Sequence, residues 1–256
     1  MDRPNIVKII CHDIGKHLGC YGVKTVNTNS IDSLAKGGIL FNNAFATSPG
    51  CSPSRAAIAT GTYPHNTGVL GLAHAHFGWS LDKKIKHIAK YFSSNDYNSI
   101  LFGLQHVTYH EETLGFKKIF PERPADHVIK NIEDNIDTIF FKKPFYAEVN
   151  FFEPHRPFDF GGVKSYRSKG VFIPKYIPNN SNIKKEFEAM QGAIKKMDES
   201  VGKIINILKK NGLYENTIII FTTDHGIPFP RAKGTLYDAA VSYTHLRAHE
   251  TRGNLV

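Results

Sequence analysis

Four short apolar segments of the chain are each followed closely by polar residues that can do chemistry. The segments are residues 5–10, 99–102, 145–152 and 216–223. Short apolar runs rich in β-branched or aromatic residues predict buried strands, and open α/β sheets place their ligands at the carboxyl ends of the strands. The first segment leads to His12 and Asp13, and the last leads to Asp224 and His225. We therefore expect one sheet edge that carries carboxylates and imidazoles.

Helical patterns alternate with these strands. Residues 183–208 carry apolar side chains at alternating spacings of three and four, which predicts one amphipathic helix packed against the core. Shorter helices are predicted at 31–36 and 85–93, and a further strand at 39–45. No repeat or low-complexity linker divides the chain. This order predicts an α/β fold with a mixed, mostly parallel central sheet and helices on both faces.

The formal net charge is +9 at pH 7, but the lysine pairs that contribute to it are spread over separate predicted elements. A nucleic-acid-binding protein usually gathers such residues into one stripe, so no nucleic-acid partner is expected. No apolar run is long enough to span a bilayer, and no membrane partner is expected either. We interpret the charge as a solvated basic surface, with steering of an anionic substrate as the alternative.

The three cysteines are Cys11, Cys20 and Cys51. An odd number of cysteines cannot form a fully paired set of disulfides, and no CxxC motif is present. Neither a disulfide scaffold nor a zinc site is therefore indicated. Met1 is followed almost at once by the first predicted strand, with no apolar leader in between. On the sequence as given, the expected location is the cytoplasm, and export from a misplaced start is the alternative.

Residues 51–61 hold the most reactive arrangement in the sequence, a lone thiol followed by a turn and a predicted helix. Pro53 suits the first position of a helix, where its missing N–H is one of the unpaired donors, and the alanines that follow favour helix propagation. Cys51 then stands at the positive end of the helix dipole, and Arg55 adds a fixed cation. These residues predict a site that attacks or holds a phosphate-like or sulfate-like group.

Cys-x-Pro-Ser-Arg at 51–55, followed by Thr-Gly at 60–61, resembles the signature of the sulfatase family, in which the cysteine is oxidised to formylglycine. The resemblance covers about residues 4–240 and implies an alkaline-phosphatase-like fold. For this stretch taken alone, the alternative is a small buried cysteine that caps a core helix.

The resemblance also implies a divalent metal, with Ca²⁺ as the expected ion and Mn²⁺ as the alternative. The implied ligands are Asp13, His12, Cys51, Asp224 and His225. The family carries an aspartate pair where this chain has His12 and Asp13. Loss of a carboxylate weakens Ca²⁺ more than it weakens a borderline metal such as Mn²⁺.

Four further residues match family positions that contact the transferring or leaving group. The resemblance implies that Arg55 stabilises charge and that Lys233 and His106 hold the sulfate. His155, between two prolines, would protonate the leaving oxygen as a general acid. A surface lysine and a histidine merely rigidified by its prolines are the structural alternatives. The family motif reads Gly-Lys-x-His where this chain has Leu104 in place of the lysine, so one anion contact is missing or supplied from elsewhere.

The implied reaction is hydrolysis of a sulfuric ester. Formylglycine made from Cys51 hydrates, and one hydroxyl attacks sulfur while the metal and Arg55 stabilise charge. The second hydroxyl then expels sulfate. A formylglycine-generating maturation enzyme is an implied partner, and a sulfated small molecule or a glycosaminoglycan-type sugar is the implied substrate. The alternatives are a phosphonate or phosphate ester hydrolase of the same superfamily, and an inactive fragment that binds anionic glycans.

Residues 241–256 depart from the family pattern. They are polar, show neither helical nor strand periodicity, and resemble translated adapter sequence. We interpret residues 1–240 as the N-terminal part of a truncated sulfatase catalytic region and residues 241–256 as a non-native tail. The sheet is then expected to be incomplete, with an exposed edge.

Overall fold

Seven strands form one central sheet in the computed structural model, which describes residues 3–139, 144–235 and 244–247. The strands are β1 (Asn5–Cys11), β2 (Ile39–Leu40), β3 (Asn98–Gly103), β4 (Lys118–Phe120), β5 (Phe145–Asn150), β6 (Thr217–Thr223) and β7 (Thr244–Arg247). Their order is β2-β7-β6-β1-β5-β3-β4, and the neighbours from β6 to β4 are parallel. β7 runs antiparallel to β6 and to β2. The predicted mixed, mostly parallel sheet is confirmed.

Helices cover both faces of this sheet. They are α1 (Asn29–Lys36), α2 (Cys51–Thr60), α3 (Pro64–Thr67), α4 (Ile88–Ser94), α5 (Ala125–Ile139) and α6 (Ser181–Lys210). On one face, Val7 of β1 shares a buried cluster with Ile129 of α5 and Ile194 of α6. On the other face, Tyr146 of β5 packs with Ala89 of α4. Within the described residues, no helix is both long and apolar enough to cross a membrane.

Four elements differ clearly from the sequence predictions. Only Ile39–Leu40 of the strand predicted at 39–45 enters the sheet, where it pairs with two residues of β7. Helix α2 begins at Cys51 with Gly50 as its N-cap, so Pro53 occupies the third helical position instead of the first. Helix α5 and strand β4 match no predicted element.

Strand β7 lies inside the segment 241–256, which the sequence analysis sets apart for its lack of periodicity. Thr244–Arg247 pairs with β6 over four residue pairs. Strand pairing uses backbone groups, so a short strand can form without an alternating side-chain pattern. The remainder of that segment, 241–243 and 248–256, lies outside the described residues. The boundary at residue 240 and the non-native origin of the tail stay predictions.

Gly103 ends β3 in a backbone conformation that side chains other than glycine rarely adopt. Its φ is +88°, and a Cβ atom added here would lie 2.0 Å from the Asn150 carbonyl oxygen. We expect Gly103→Ala to lower the free energy of unfolding by more than about 2 kcal/mol, because left-handed strain and a backbone clash combine. Denaturant-induced unfolding measures the change.

Gly22→Ala is the matched control for this prediction. Gly22 has a φ of +93°, and nothing lies within 4 Å of the Cβ position. We expect this variant to lose only the backbone strain, about 1–2 kcal/mol. Equal losses in the two variants would contradict the clash at Gly103.

Candidate active site

The carboxyl ends of β1 and β6 bring two acidic segments together. Cys11 is the register partner of Thr223 in this parallel pair, so the chain leaves both strands at the same sheet edge. The Asp224 N–H donates to the Cys11 carbonyl oxygen at 3.1 Å. The Asp13 N–H donates to Asp224 Oδ1 at 3.0 Å. The structure thus brings together the polar residues that follow these two strands.

Asp224 joins helix α2 to this edge. Its carboxylate accepts hydrogen bonds from Arg55 Nε at 3.0 Å and from the His225 N–H at 2.9 Å. Asp224 Oδ2 also lies 2.9 Å from His12 Nδ1. The Ser54 hydroxyl donates to the Asp224 carbonyl oxygen. The Arg55 and Asp224 side chains are 2% and 0% exposed, so this ion pair is shielded from solvent.

Burial and charge act differently on the titratable groups of the site. Burial opposes ionisation of Asp224, but neighbouring His225, His12 and Arg55 outweigh it and hold the pKa of Asp224 well below its usual range. Burial raises the pKa of Asp13, and the Asp224 carboxylate adds to the rise. Burial lowers the pKa of His12 to about 3. His12 is therefore neutral near pH 7, and Arg55 supplies permanent positive charge beside Asp224.

Four buried side chains converge in the arrangement of a metal site. His12, Asp13, Cys51 and Asp224 each offer one ligand atom, and these atoms lie within 4.8 Å of one another. Asp13 Oδ1 and His12 Nε2 have no hydrogen-bond partner among the described residues. His225 Nε2 lies 3.2 Å from Asp13 Oδ1, though not in hydrogen-bond geometry. Unpaired buried polar atoms are unfavourable unless another group satisfies them. All five predicted ligands thus lie together, and their roles stay predictions.

Cys51 is the first residue of α2, where the unpaired N–H groups of the first turn favour negative charge. Its Sγ lies 3.2 Å from His225 Nε2, and the residue is 1% exposed. Burial raises the pKa of the Cys51 thiol, and the carboxylates of Asp224 and Asp13 add to the rise. The unmodified thiol is therefore protonated at neutral pH, and a protonated thiol is a poor nucleophile.

Lys233 and His155 close the outer side of the cluster. Lys233 Nζ donates to Asp13 Oδ2 at 2.7 Å and to His155 Nε2 at 3.0 Å. His155 Nδ1 donates to the Arg156 carbonyl oxygen at 2.5 Å, which leaves the Nε2 lone pair free to accept from Lys233. The Lys233 and His155 side chains are 29% and 27% exposed. These two predicted contacts therefore lie where a substrate has access.

The His106 ring lies beside the four-residue cluster, next to the ring of His12. Its ring centroid is 5.8 Å from that of His12. His106 Nε2 lies 2.7 Å from His74 Nδ1, while His106 Nδ1 is buried and has no hydrogen-bond partner in the described part of the chain. The structure thus places the fourth predicted substrate contact beside the cluster and pairs it with a second imidazole.

Three residues near the cluster were not among the predicted contacts, namely Ser52, Ser54 and His74. Ser52 Oγ accepts a hydrogen bond from the Ala73 N–H at 2.9 Å, which anchors the segment before His74 against the start of α2. Both serines belong to the Cys-Ser-Pro-Ser-Arg motif, so the signal for them was present. His74 stands in a loop without periodicity, and nothing in the sequence points to it.

The parallel sheet and its helical layers define an alkaline-phosphatase-like fold, as the similarity to solved structures shows. The family model described as Sulfatase matches residues 4–251. The chain belongs to the sulfatase family.

Two curated relatives and one solved structure illustrate this similarity. The chain is 28% identical to N-sulphoglucosamine sulphohydrolase of Homo sapiens, over 92% of this chain and 53% of that protein. It is 27% identical to an ulvan-active sulfatase of Formosa agariphila, over 94% of this chain and 46% of that protein. A structure from work on glycosaminoglycan metabolism by Bacteroides thetaiotaomicron has a TM-score of 0.83 at 19% identity, covers 96% of this chain and 67% of that one, and shows the shared fold. The chain spans about half the length of the two curated relatives.

Proposed function

We propose that this chain carries the reactive centre of a sulfuric ester hydrolase that releases sulfate from a sulfated sugar. The observation that carries the proposal is the buried cluster of His12, Asp13, Cys51 and Asp224 at the start of α2, with Lys233 on its open side. A helix start, an ammonium group and a metal-type donor set together favour an anionic, tetrahedral group in the substrate.

The donor set fits a divalent metal ion. Two carboxylates and an imidazole converge, and Asp13 Oδ1 and His12 Nε2 lack hydrogen-bond partners among the described residues. In this proposal His12, Asp13 and Asp224 hold the ion, with His225 and residue 51 completing the set. The bound ion would act as a Lewis acid on the sulfate oxygens. Ca²⁺ is the expected ion, and the His12 nitrogen favours Mn²⁺ as its competitor.

Residue 51 acts as formylglycine in this proposal. Burial keeps the Cys51 thiol protonated at neutral pH, so the thiol itself is a poor choice for attack on sulfur. Formylglycine supplies the hydroxyl nucleophile of a hydrated aldehyde. Oxidation of Cys51 needs a maturation enzyme, which is therefore a proposed partner.

Lys233 and His155 act on the substrate side of the cluster. Sulfate oxygens compete with Asp13 and His155 for the Lys233 donors, since charge-assisted hydrogen bonds to an anion are strong. His155 acts as the acid after it takes a proton at Nε2, with the Asp13 carboxylate 3.9 Å away to stabilise the cation. Burial lowers the pKa of His155, which makes that proton easier to give to the leaving oxygen.

The Arg55 side chain is buried, so its proposed role is electrostatic. Its Nε is committed to Asp224, and its Nη1 is buried without a hydrogen-bond partner among the described residues. The guanidinium carries its charge at every working pH. We propose that this fixed charge stabilises the negative charge that develops in the transition state.

The sugar part of the proposal is supported by the relatives. Their names refer to N-sulphoglucosamine and to ulvan, and each name describes that relative alone. We propose a glycosaminoglycan-type sulfated sugar as the substrate class of this chain, with the bond hydrolysed being either an O-sulfate or an N-sulfate.

Sulfate release tests the proposal directly. The protein, co-expressed with a formylglycine-generating enzyme, is assayed on O-sulfated and N-sulfated glucosamine and on an aryl phosphonate monoester at one metal concentration. Mass spectrometry of the peptide that contains residue 51 monitors the oxidation. We expect release of sulfate from a sugar. Faster turnover of the phosphonate would assign the chain to the phosphonate branch of the superfamily. No turnover, with salt-sensitive heparin binding, would assign it to glycan-binding proteins.

The His12 position sets the metal preference. We expect His12→Asp to raise the affinity for Ca²⁺ relative to Mn²⁺ by about tenfold, because an oxygen ligand replaces a nitrogen ligand. Isothermal titration of the metal-free protein with each ion measures both affinities, independently of turnover. His17→Asn is the matched control, since His17 is also buried but lies outside the four-residue cluster. An unchanged Ca²⁺ to Mn²⁺ ratio in His12→Asp would remove His12 from the ligand set.

A further inference from the structure

His74 and His106 form a pair that extends from the cluster toward solvent. His106 Nε2 and His74 Nδ1 are 2.7 Å apart, the two rings lie within 19° of parallel, and their centroids are 4.7 Å apart. A nitrogen separation of 2.7 Å is that of a hydrogen bond in which one ring donates and the other accepts. The His74 residue is exposed, whereas the His106 residue is half-buried.

The His106 ring has one free hydrogen-bonding position. In a neutral imidazole one ring nitrogen carries the proton and the other a lone pair, so the role of Nε2 in the hydrogen bond to His74 decides what Nδ1 offers. The Nδ1 of His106 is buried and has no hydrogen-bond partner among the described residues. If the proton were on Nε2, the free position would be a lone pair, which repels an anionic oxygen. If the proton is on Nδ1, the free position is a donor, which attracts one.

A hydrogen bond from the residue before His74 anchors the loop that carries His74. The Ala73 N–H donates to Ser52 Oγ at 2.9 Å, and both residues are buried. Ser52 is the residue after Cys51, so the loop that carries His74 is tied to the first turn of α2. This hydrogen bond therefore ties the residue before His74 to the same turn that presents residue 51.

We propose that His74 is a positioning residue that donates its Nδ1–H to His106 Nε2 and so fixes His106 with its proton on Nδ1. The Nδ1–H of His106 then serves as an anion donor near the cluster. It replaces in part the cation that is absent at Leu104, where the chain has no lysine. The hydrogen bond stands on the His74–His106 geometry, whereas its direction and the anion contact rest on the proposed function.

Nitrogen NMR separates the tautomer from the activity. Long-range ¹H–¹⁵N spectra of the protein labelled with ¹⁵N-histidine distinguish protonated from unprotonated ring nitrogens. A His106→Gln spectrum assigns the His106 signals among the thirteen histidines. We expect the His106 proton on Nδ1 in the wild type, a mixture of tautomers in His74→Ala, and a return to Nδ1 in His74→Asn, whose amide can donate in the same place. A His106 proton on Nε2 in the wild type, or an unchanged tautomer in His74→Ala, would overturn the proposal.

Turnover then tests the anion contact. We expect His74→Ala to raise KM for the sulfate ester about tenfold with little change in kcat, because a contact to the anion is weakened equally in the bound substrate and the transition state. His74→Asn should recover most of the loss. His76→Ala, an exposed histidine in the same loop, should change neither the spectrum nor KM. An unchanged KM in His74→Ala, beside a changed tautomer, would refute the anion contact. An inactive wild type with the expected tautomer would instead count against the proposed function.

Discussion

Cys51→Ala is expected to lower sulfate release by at least about 10⁴-fold, because the variant removes the proposed nucleophile. The Cys51 residue is 1% exposed, and its Sγ lies 3.2 Å from His225 Nε2, so the substitution leaves a small cavity. We therefore expect only a modest loss of stability, about 1 kcal/mol. Sulfate release and thermal unfolding measured on the same preparation separate the two effects.

Cys20→Ala is the matched control for the loss of a thiol. Cys20 is half-buried and lies outside the four-residue cluster. We expect this variant to retain wild-type sulfate release. Residual release in Cys51→Ala within tenfold of the wild type would refute residue 51 as the nucleophile, provided that mass spectrometry shows full oxidation of Cys51 in the wild type.

Asp224→Ala is expected to destabilise the protein by about 3–5 kcal/mol, because it leaves a buried guanidinium without its carboxylate. Arg55 Nε donates to Asp224 Oδ2 at 3.0 Å, and the Arg55 side chain is 2% exposed. The same variant removes a proposed metal ligand, so we also expect the stabilisation by added metal to disappear. Denaturant-induced unfolding with and without the metal measures both quantities.

The pH dependence of unfolding gives a second measurement on Asp224. The pKa of Asp224 is held well below its usual range in the folded protein. A depressed folded pKa contributes stability that is present above the unfolded value near 3.8 and is lost as the pH falls through the folded value. We expect Asp224→Ala to flatten the loss of stability in acid. Asp134→Ala, an exposed aspartate on α5, should leave the profile unchanged. The same acid profile in all three proteins would contradict the pairing of Asp224 with Arg55.

The buried strands were predictable because side-chain hydrophobicity specifies them locally. The runs at 5–10 and 216–223 became β1 and β6 within a residue at each end. The helix predicted at 183–208 became α6, Ser181–Lys210. Its apolar residues form one continuous stripe only in a helix, and that stripe is buried against the core. Strand β7 and the truncation of β2 escaped prediction, since short edge pairings depend on which backbone groups remain unpaired elsewhere.

The sequence by itself determined the chemistry that is available at the sheet edge. Cys51 and Arg55 stand in one short motif, and Asp13 and Asp224 each follow a buried strand, so the residue types and their approximate meeting place could be derived from the chain alone. Only the tertiary structure decided how these groups are paired. The Arg55 contact with Asp224 and the His106 contact with His74 join residues 169 and 32 positions apart in the chain. Such pairings depend on strand register and loop anchoring, and no local pattern of hydrophobicity or spacing encodes them.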